Sequence, residues 1–173
     1  LVFLVIVLAA FVGGLAHSSI TMTLLRRFAE LILGILTFFI VVNCVRTRTQ
    51  LEQVARVLIL AGAGAALIGV VLYVLPTNTS VRLLSFLRYV RYPAGSGVLR
   101  YIEDDPELPL RAISTSQDPN VLGGLLIIVT GFTVPQLISR RPLLPLKATA
   151  PMIGIMVLCL ILTFSRGSMG GLV

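Results

Sequence analysis

A chain of 173 residues, 57% of them hydrophobic and only 12% charged, holds more apolar surface than a soluble domain of this length can bury. Its mean hydropathy is +1.01, and the apolar residues come in long blocks, not in the alternating ten-residue pattern of a membrane β-barrel. The net charge of +7 would point to nucleic acid in a soluble protein. In a membrane protein it reflects basic cytoplasmic loops plus arginines on the opposite face, and no nucleic-acid partner is expected.

The predicted fold class is therefore all-α: a polytopic transmembrane helix bundle of about five spans plus the start of a sixth, forming one domain over residues 1–173. Leu1 already lies inside an apolar run, and Val173 follows Gly170-Gly171 in what reads as the opening of another helix, so both ends read as cut. No basic n-region or cleavage site marks residues 1–16 as a signal peptide, and a truncated span is preferred.

Residues 1–16 form the first apolar run, ended by His17-Ser18-Ser19; His17 reads as an interface residue. Residues 20–30 carry Arg26, Arg27 and Glu30, and residues 31–45 form the second run. The polar segment 46–53 follows, then the third run, 54–75, in which Arg56 can snorkel to the interface. Within it, residues 61–66 and Gly69 place small side chains at four-residue spacing, as close packing of membrane helices inside one protein requires. Residues 76–120 make the longest polar connection, predicted to be extracytoplasmic. Residues 121–138 are the fourth run, 139–147 a short basic loop, 148–164 the fifth run, and 165–173 turn into a sixth. Cys44 and Cys159 sit in apolar runs with no metal-ligand neighbour and read as small buried hydrophobes. Loops 46–53 and 139–147 are two crossings apart and hold Arg46, Arg48, Arg140, Arg141 and Lys147 against Glu52, which puts both in the cytoplasm.

In the long connection, residues 80–92 repeat a polar residue every third position: Arg82, Ser85, Arg88 and Arg91. The spacing predicts an amphipathic helix in the interface plane. It reads either as a roof over the bundle or as a basic rim, with Arg88 and Arg91 binding an anionic lipid substrate. The acidic stretch Glu103 to Glu107 reads as a solvated loop, with no metal site expected.

Asp118-Pro119-Asn120 is a helix-start signal, with a side chain to receive orphan N–H groups and a proline where a first-turn N–H is dispensable. Arg111 stands shortly before it, and Ser165-Arg166-Gly167 follows the fifth run. Because the fourth run starts and the fifth ends on the same side, Arg111, Asn120 and Arg166 are expected to meet at one membrane face. Arginine forks match phosphate oxygens, and a helix N-terminus adds N–H groups and positive dipole. The expected site is a diphosphate cradle, with Asp118 and Ser165 as further substrate-binding residues.

The segment from Arg111 through Asp118-Pro119-Asn120 to Gly123 resembles the R-x-x-G-T-x-x-(D/N)-P-N signature of the O-antigen ligase/polymerase superfamily. Thr163-Phe164-Ser165-Arg166-Gly167 resembles that family's T-x-S-R-G motif, in family order; Ser114 stands where a glycine is commoner. The resemblance implies an integral-membrane glycosyltransferase of the bacterial inner (plasma) membrane. Such an enzyme moves a glycan from a polyprenyl-diphosphate carrier to a lipid or polysaccharide acceptor, sometimes a protein, without metal, nucleotide sugar or other cofactor. It implies that Arg111 and Arg166 are catalytic, neutralising the departing diphosphate, and that a His or acid from an outer loop further downstream activates the acceptor. The competing readings are a transporter or flippase for an anionic lipid-linked substrate, and a non-catalytic membrane protein. A transporter predicts mid-membrane ionisable residues and repeated halves, neither of which the sequence displays.

Overall fold

The computed structural model describes residues 2–15, 21–90, 98–105 and 107–171. Among them are seven α-helices: α1 (Val2–Leu15), α2 (Met22–Cys44), α3 (Arg48–Val74), α4 (Thr77–Ser85), α5 (Pro119–Thr133), α6 (Leu146–Leu162) and α7 (Arg166–Gly170). A two-stranded antiparallel ladder, β1 (Arg100–Tyr101) with β2 (Leu110–Arg111), lies between α4 and α5 in sequence. The chain divides into two compact units, residues 1–51 and 52–173.

The fold is mostly helical. Two stretches, Arg48–Val74 and Pro119–Leu137, are long and apolar enough to cross a membrane by length and composition; α1 and α6 are shorter apolar helices. The second stretch continues α5 through a 3-10 turn, Val134–Leu137, entered at Pro135. Leucine, isoleucine, valine and phenylalanine side chains such as Leu33, Phe38, Ile40, Val57 and Ile128 are exposed on α2, α3 and α5. Polar side chains on the apolar helices turn back onto their own backbone. Thr37 donates to the Leu33 carbonyl, Asn43 to that of Phe39, and Thr133 to that of Val129. Self-satisfied polar groups under an apolar exterior suit a medium that offers no water.

In the first unit, Thr21 caps α2, its side chain accepting from the Leu24 N–H. The rings of Phe11 and Phe28 stack with centroids 3.8 Å apart. The polar segment 46–53, read from sequence as a loop, is mostly helix, because α3 begins at Arg48. The reason is a reciprocal capping box: the Gln50 N–H donates to Thr47 Oγ1, while Gln50 Oε1 accepts from the N–H groups of Arg46 and Thr47.

In the second unit, α3, α5 and α6 share one core. Ile59, Ala63 and Ala66 of α3 meet Leu122, Leu126 and Val129 of α5 and Met156, Cys159 and Leu160 of α6. The small residues expected to permit close packing are buried here: Gly62, Ala63, Ala66 and Gly69. A Cβ on Gly62 would stand 2.6 Å from Val129 Cγ1, and one on Gly69 would stand 2.7 Å from Cys159 Sγ. Backbones that approach this closely gain dispersion contacts, the main attraction between helices in lipid.

A second apolar cluster joins Leu72, Leu84, Val98, Leu99 and Ile113. Ser80, fully buried, pins α4 to the end of α3 by donating to the Leu72 carbonyl at 2.8 Å. The amphipathic helix expected over residues 80–92 starts earlier, at Thr77, and becomes a 3-10 turn over Phe86–Val90. The Arg88 side chain, Arg91 and His17 lie outside the described residues.

Candidate functional site

The site is assembled where α6 ends and α5 begins. Strand β2 pairs with β1 in the register Arg100 with Arg111 and Tyr101 with Leu110. The backbone next crosses to α6, where the Ala112 N–H donates to the Leu162 carbonyl at 2.8 Å. A helix C-terminus leaves carbonyls without intrahelical partners, and β2 supplies donors for them. Arg111 continues the pattern with its side chain: Nε donates to the Thr163 carbonyl at 2.8 Å, and Nη2 donates to Asn120 Oδ1 at 3.1 Å. One half-buried guanidinium thus ties together β2, the end of α6 and the first turn of α5. These bonds use two of the five N–H groups that a guanidinium carries.

The first turn of α5 follows the sequence expectation. Asp118 is the N-cap in extended conformation, and Pro119 opens the helix. One expectation changes. Asp118 Oδ1 accepts the Asn120 N–H at 2.7 Å, so that N–H is not offered to a ligand. The adjoining carboxylate also opposes the dipole's pull on an anion. The cationic character of the site rests on the two arginines.

Between α6 and α7 the chain reverses within Thr163, Phe164 and Ser165. Phe164 adopts φ 48°, a left-handed conformation unusual for a bulky residue. Thr163, buried, donates its hydroxyl to the Leu160 carbonyl, and its Oγ1 accepts from the Ser165 N–H. Ser165 caps α7: its Oγ accepts from both the N–H and the hydroxyl of Ser168. Ser165 is therefore a buried structural residue, and Asp118 is a helix cap; neither lines the cavity below. This turn lies directly on α5 at Gly123. A Cβ there would collide with Ser168 Oγ and stand 2.8 Å from Ser168 Cβ. The absence of a side chain at Gly123 lets α7 seat against α5.

Arg166, the first residue of α7, is exposed and forms no ion pair or side-chain hydrogen bond among the described residues. It faces a cavity of about 370 Å³ that Arg111 and Asn120 also line, within the usual size range of small-molecule sites. The remaining walls come from Phe164, Gly167, Ile102 and Glu103. The structure thus brings Arg111, Asn120 and Arg166 together.

Ile102, Glu103, Phe164 and Gly167 line the cavity without being expected from sequence. Glu103 is exposed, as a solvated acidic stretch predicts, and a short turn, Ile102–Asp104, carries it to the site with φ 57°. Among the described residues no three His, Cys, Asp or Glu side chains converge as a metal site would require. Two guanidiniums and one amide, from Arg111, Arg166 and Asn120, fit an anion of several oxygens, with the Glu103 carboxylate on the same open space. Comparison with models of known protein families, with curated proteins and with solved structures finds no match to this chain.

Proposed function

We propose that the chain is an integral-membrane glycosyltransferase of O-antigen ligase/polymerase type. It takes a glycan from a polyprenyl-diphosphate carrier and passes it to a lipid or polysaccharide acceptor. In this reading the bundle has about five spans and the start of a sixth in the bacterial plasma membrane, with loops 46–53 and 139–147 cytoplasmic. The cavity then opens on the outer face.

The observation that carries the proposal is the shared cavity. Arg111 and Arg166 belong to two separate motifs that resemble the family's pair, and both line one space beside Asn120. Each guanidinium offers paired N–H groups to phosphoryl oxygens. Fixed cations at the departing diphosphate stabilise the charge that develops as the glycosidic C–O bond breaks. Arg111 is held in place by Thr163 and Asn120, so it needs no reorganisation to act.

The test is binding of undecaprenyl diphosphate to the protein in lipid nanodiscs. Arg166→Ala is the informative variant, because Arg166 is exposed and its side chain makes no hydrogen bond or ion pair among the described residues. The expected result is at least a tenfold weaker affinity. Unchanged affinity in Arg166→Ala and Arg111→Ala would overturn the proposal.

A further inference from the structure

Helix α3 ends at Val74, and α4 begins at Thr77 with Pro76 as its N-cap. The chain does not leave the end of α3. Buried Ser80 donates to the Leu72 carbonyl at 2.8 Å, a group that the last turn of a helix leaves unsatisfied. Leu84 packs with Leu72 beside it. Because α3 is one of the two stretches long and apolar enough to cross a membrane, its end marks the level where hydrocarbon gives way to headgroups. Helix α4 is held at that level.

The inward face of α4 is taken by Ser80 and Leu84, with Val81 and Leu87 partly buried beside them. The outward face is not polar: Leu83 is 46% exposed, Phe86 73% and Tyr89 95%. Three residues of α-helix turn through about 300°, which would set Tyr89 about 60° aside from Phe86. The change to a 3-10 turn over Phe86–Val90 closes that gap, because side chains three positions apart eclipse in a 3-10 helix. The two rings therefore line up, with Leu83 one turn before them. Arg82, exposed and without an ion pair among the described residues, stands four positions before Phe86 and so beside it. The sequence reading ordered this segment by its arginines; the structure adds an apolar stripe turned away from the protein.

We infer that Leu83, Phe86 and Tyr89 form a wedge that enters the boundary between headgroups and acyl chains at the end of α3. Lipid is the occupant, not another protein. The two rings expose on the order of 400 Å², about half of the roughly 800 Å² that a stable protein interface buries on each partner. A tyrosine, apolar in its ring and polar at its tip, suits headgroup level, and Arg82 can reach a lipid phosphate from there. The wedge also has a bearing on the cavity. Leu72 and Leu84 share their cluster with Val98 and Leu99, which lead into β1, and with Ile113, just beyond β2. The lipid contact thus fixes the depth of the ladder that carries Arg111. This inference goes beyond the glycosyl-transfer reading and shares with it only the crossing of α3.

The chain contains no tryptophan, so Phe86→Trp and, separately, Tyr89→Trp each create a single emitter at an exposed position. The complete protein is reconstituted at low density in vesicles of phosphatidylglycerol and phosphatidylcholine. The phosphatidylcholine is brominated either near the headgroup end or near the methyl end of its acyl chains, and bromine quenches tryptophan only at contact range. Resistance to alkaline carbonate extraction is measured on the same vesicles. Both emitters are expected to be quenched about twofold or more by the shallow bromines, and less by the deep ones, as an interfacial position requires. Carbonate-resistant protein with neither emitter quenched would overturn the wedge and leave the crossing of α3 standing; blue-shifted emission in that case would assign the stripe to a second copy of the chain. Equal or stronger quenching by the deep bromines would refute the interfacial depth. Release of the protein by carbonate would remove the crossing of α3, and with it both the wedge and the proposed function.

Discussion

Arg111 donates from Nε to the carbonyl of Thr163 at 2.8 Å, joining residues 52 positions apart. That bond makes Arg111 a structural residue as well as a site residue, and separates it from Arg166. Arg111→Lys retains the charge but not the planar fork that reaches Thr163 and Asn120 together. Arg111→Lys should lose about 1–2 kcal/mol of stability, read as a lower unfolding midpoint in detergent. Arg166→Ala should change stability by less than about 0.5 kcal/mol, as exposed substitutions usually do. Equal destabilisation of both would contradict the described geometry.

Gly123 tests how α7 is seated. A Cβ at this position collides with Ser168, and overpacking of this kind costs about 1–3 kcal/mol. Gly123→Ala should therefore destabilise the protein and weaken undecaprenyl diphosphate binding by displacing Arg166. Adding Ser168→Gly removes the colliding side chain and should restore at least half of the lost stability. A double variant no better than the single one would show that the contact is not the cause.

Ser114 is fully buried at φ 50°, and its hydroxyl has no hydrogen-bond partner among the described residues. A left-handed conformation costs a non-glycine residue about 1–2 kcal/mol, and an unpartnered buried hydroxyl adds about 1–3 kcal/mol. Against these stands the greater chain entropy of glycine, about 0.5–1 kcal/mol. Ser114→Gly should raise stability by about 1 kcal/mol, and Ser114→Val should lower it. A fall in the unfolding midpoint of Ser114→Gly would refute this account. The position is also where the resembled signature carries glycine, which gives that departure a physical meaning.

The Thr47 and Gln50 box predicts a local effect. Thr47→Ala removes the acceptor for the Gln50 N–H and should cost about 1 kcal/mol. Faster amide hydrogen exchange should be confined to the first turn of α3. Exchange unchanged at residues 48–51 would show that the cap does not hold that turn.

What could be read from sequence was what is local or periodic. The Asp118-Pro119 helix start depends on two adjacent side chains, and it was legible for that reason. The apolar runs were legible because blocks of that length show without any knowledge of neighbours. Placing Arg111, Asn120 and Arg166 at one end needed only that the helix begun at Pro119 and the helix ended at Leu162 lie side by side in opposite directions. The ladder of β1 and β2 was not legible, since two-residue strands carry no periodicity and pair through backbone atoms. Without that ladder neither the anchoring of Arg111 nor the presence of Glu103 could be foreseen. The start of α3 differs from expectation for another reason: the polarity of residues 46–53 reads as loop, although Thr47 and Gln50 carry a capping signal. Ser165 reads from sequence as a ligand contact because a serine beside an arginine fits that role as well as a cap does; its bonds to Ser168, which the sequence does not display, give it the cap.

The contact between Gly69 and Cys159 has a practical consequence. Cys159 is sealed at the meeting of α3 and α6, whereas Cys44 is exposed. The protein thus carries a built-in reporter of its own assembly. In detergent a thiol-reactive dye should tag one sulfur quickly, and the second only when α3 and α6 part. The lag between the two labelling events times the opening of the helix core in the unaltered protein, with no engineered probe.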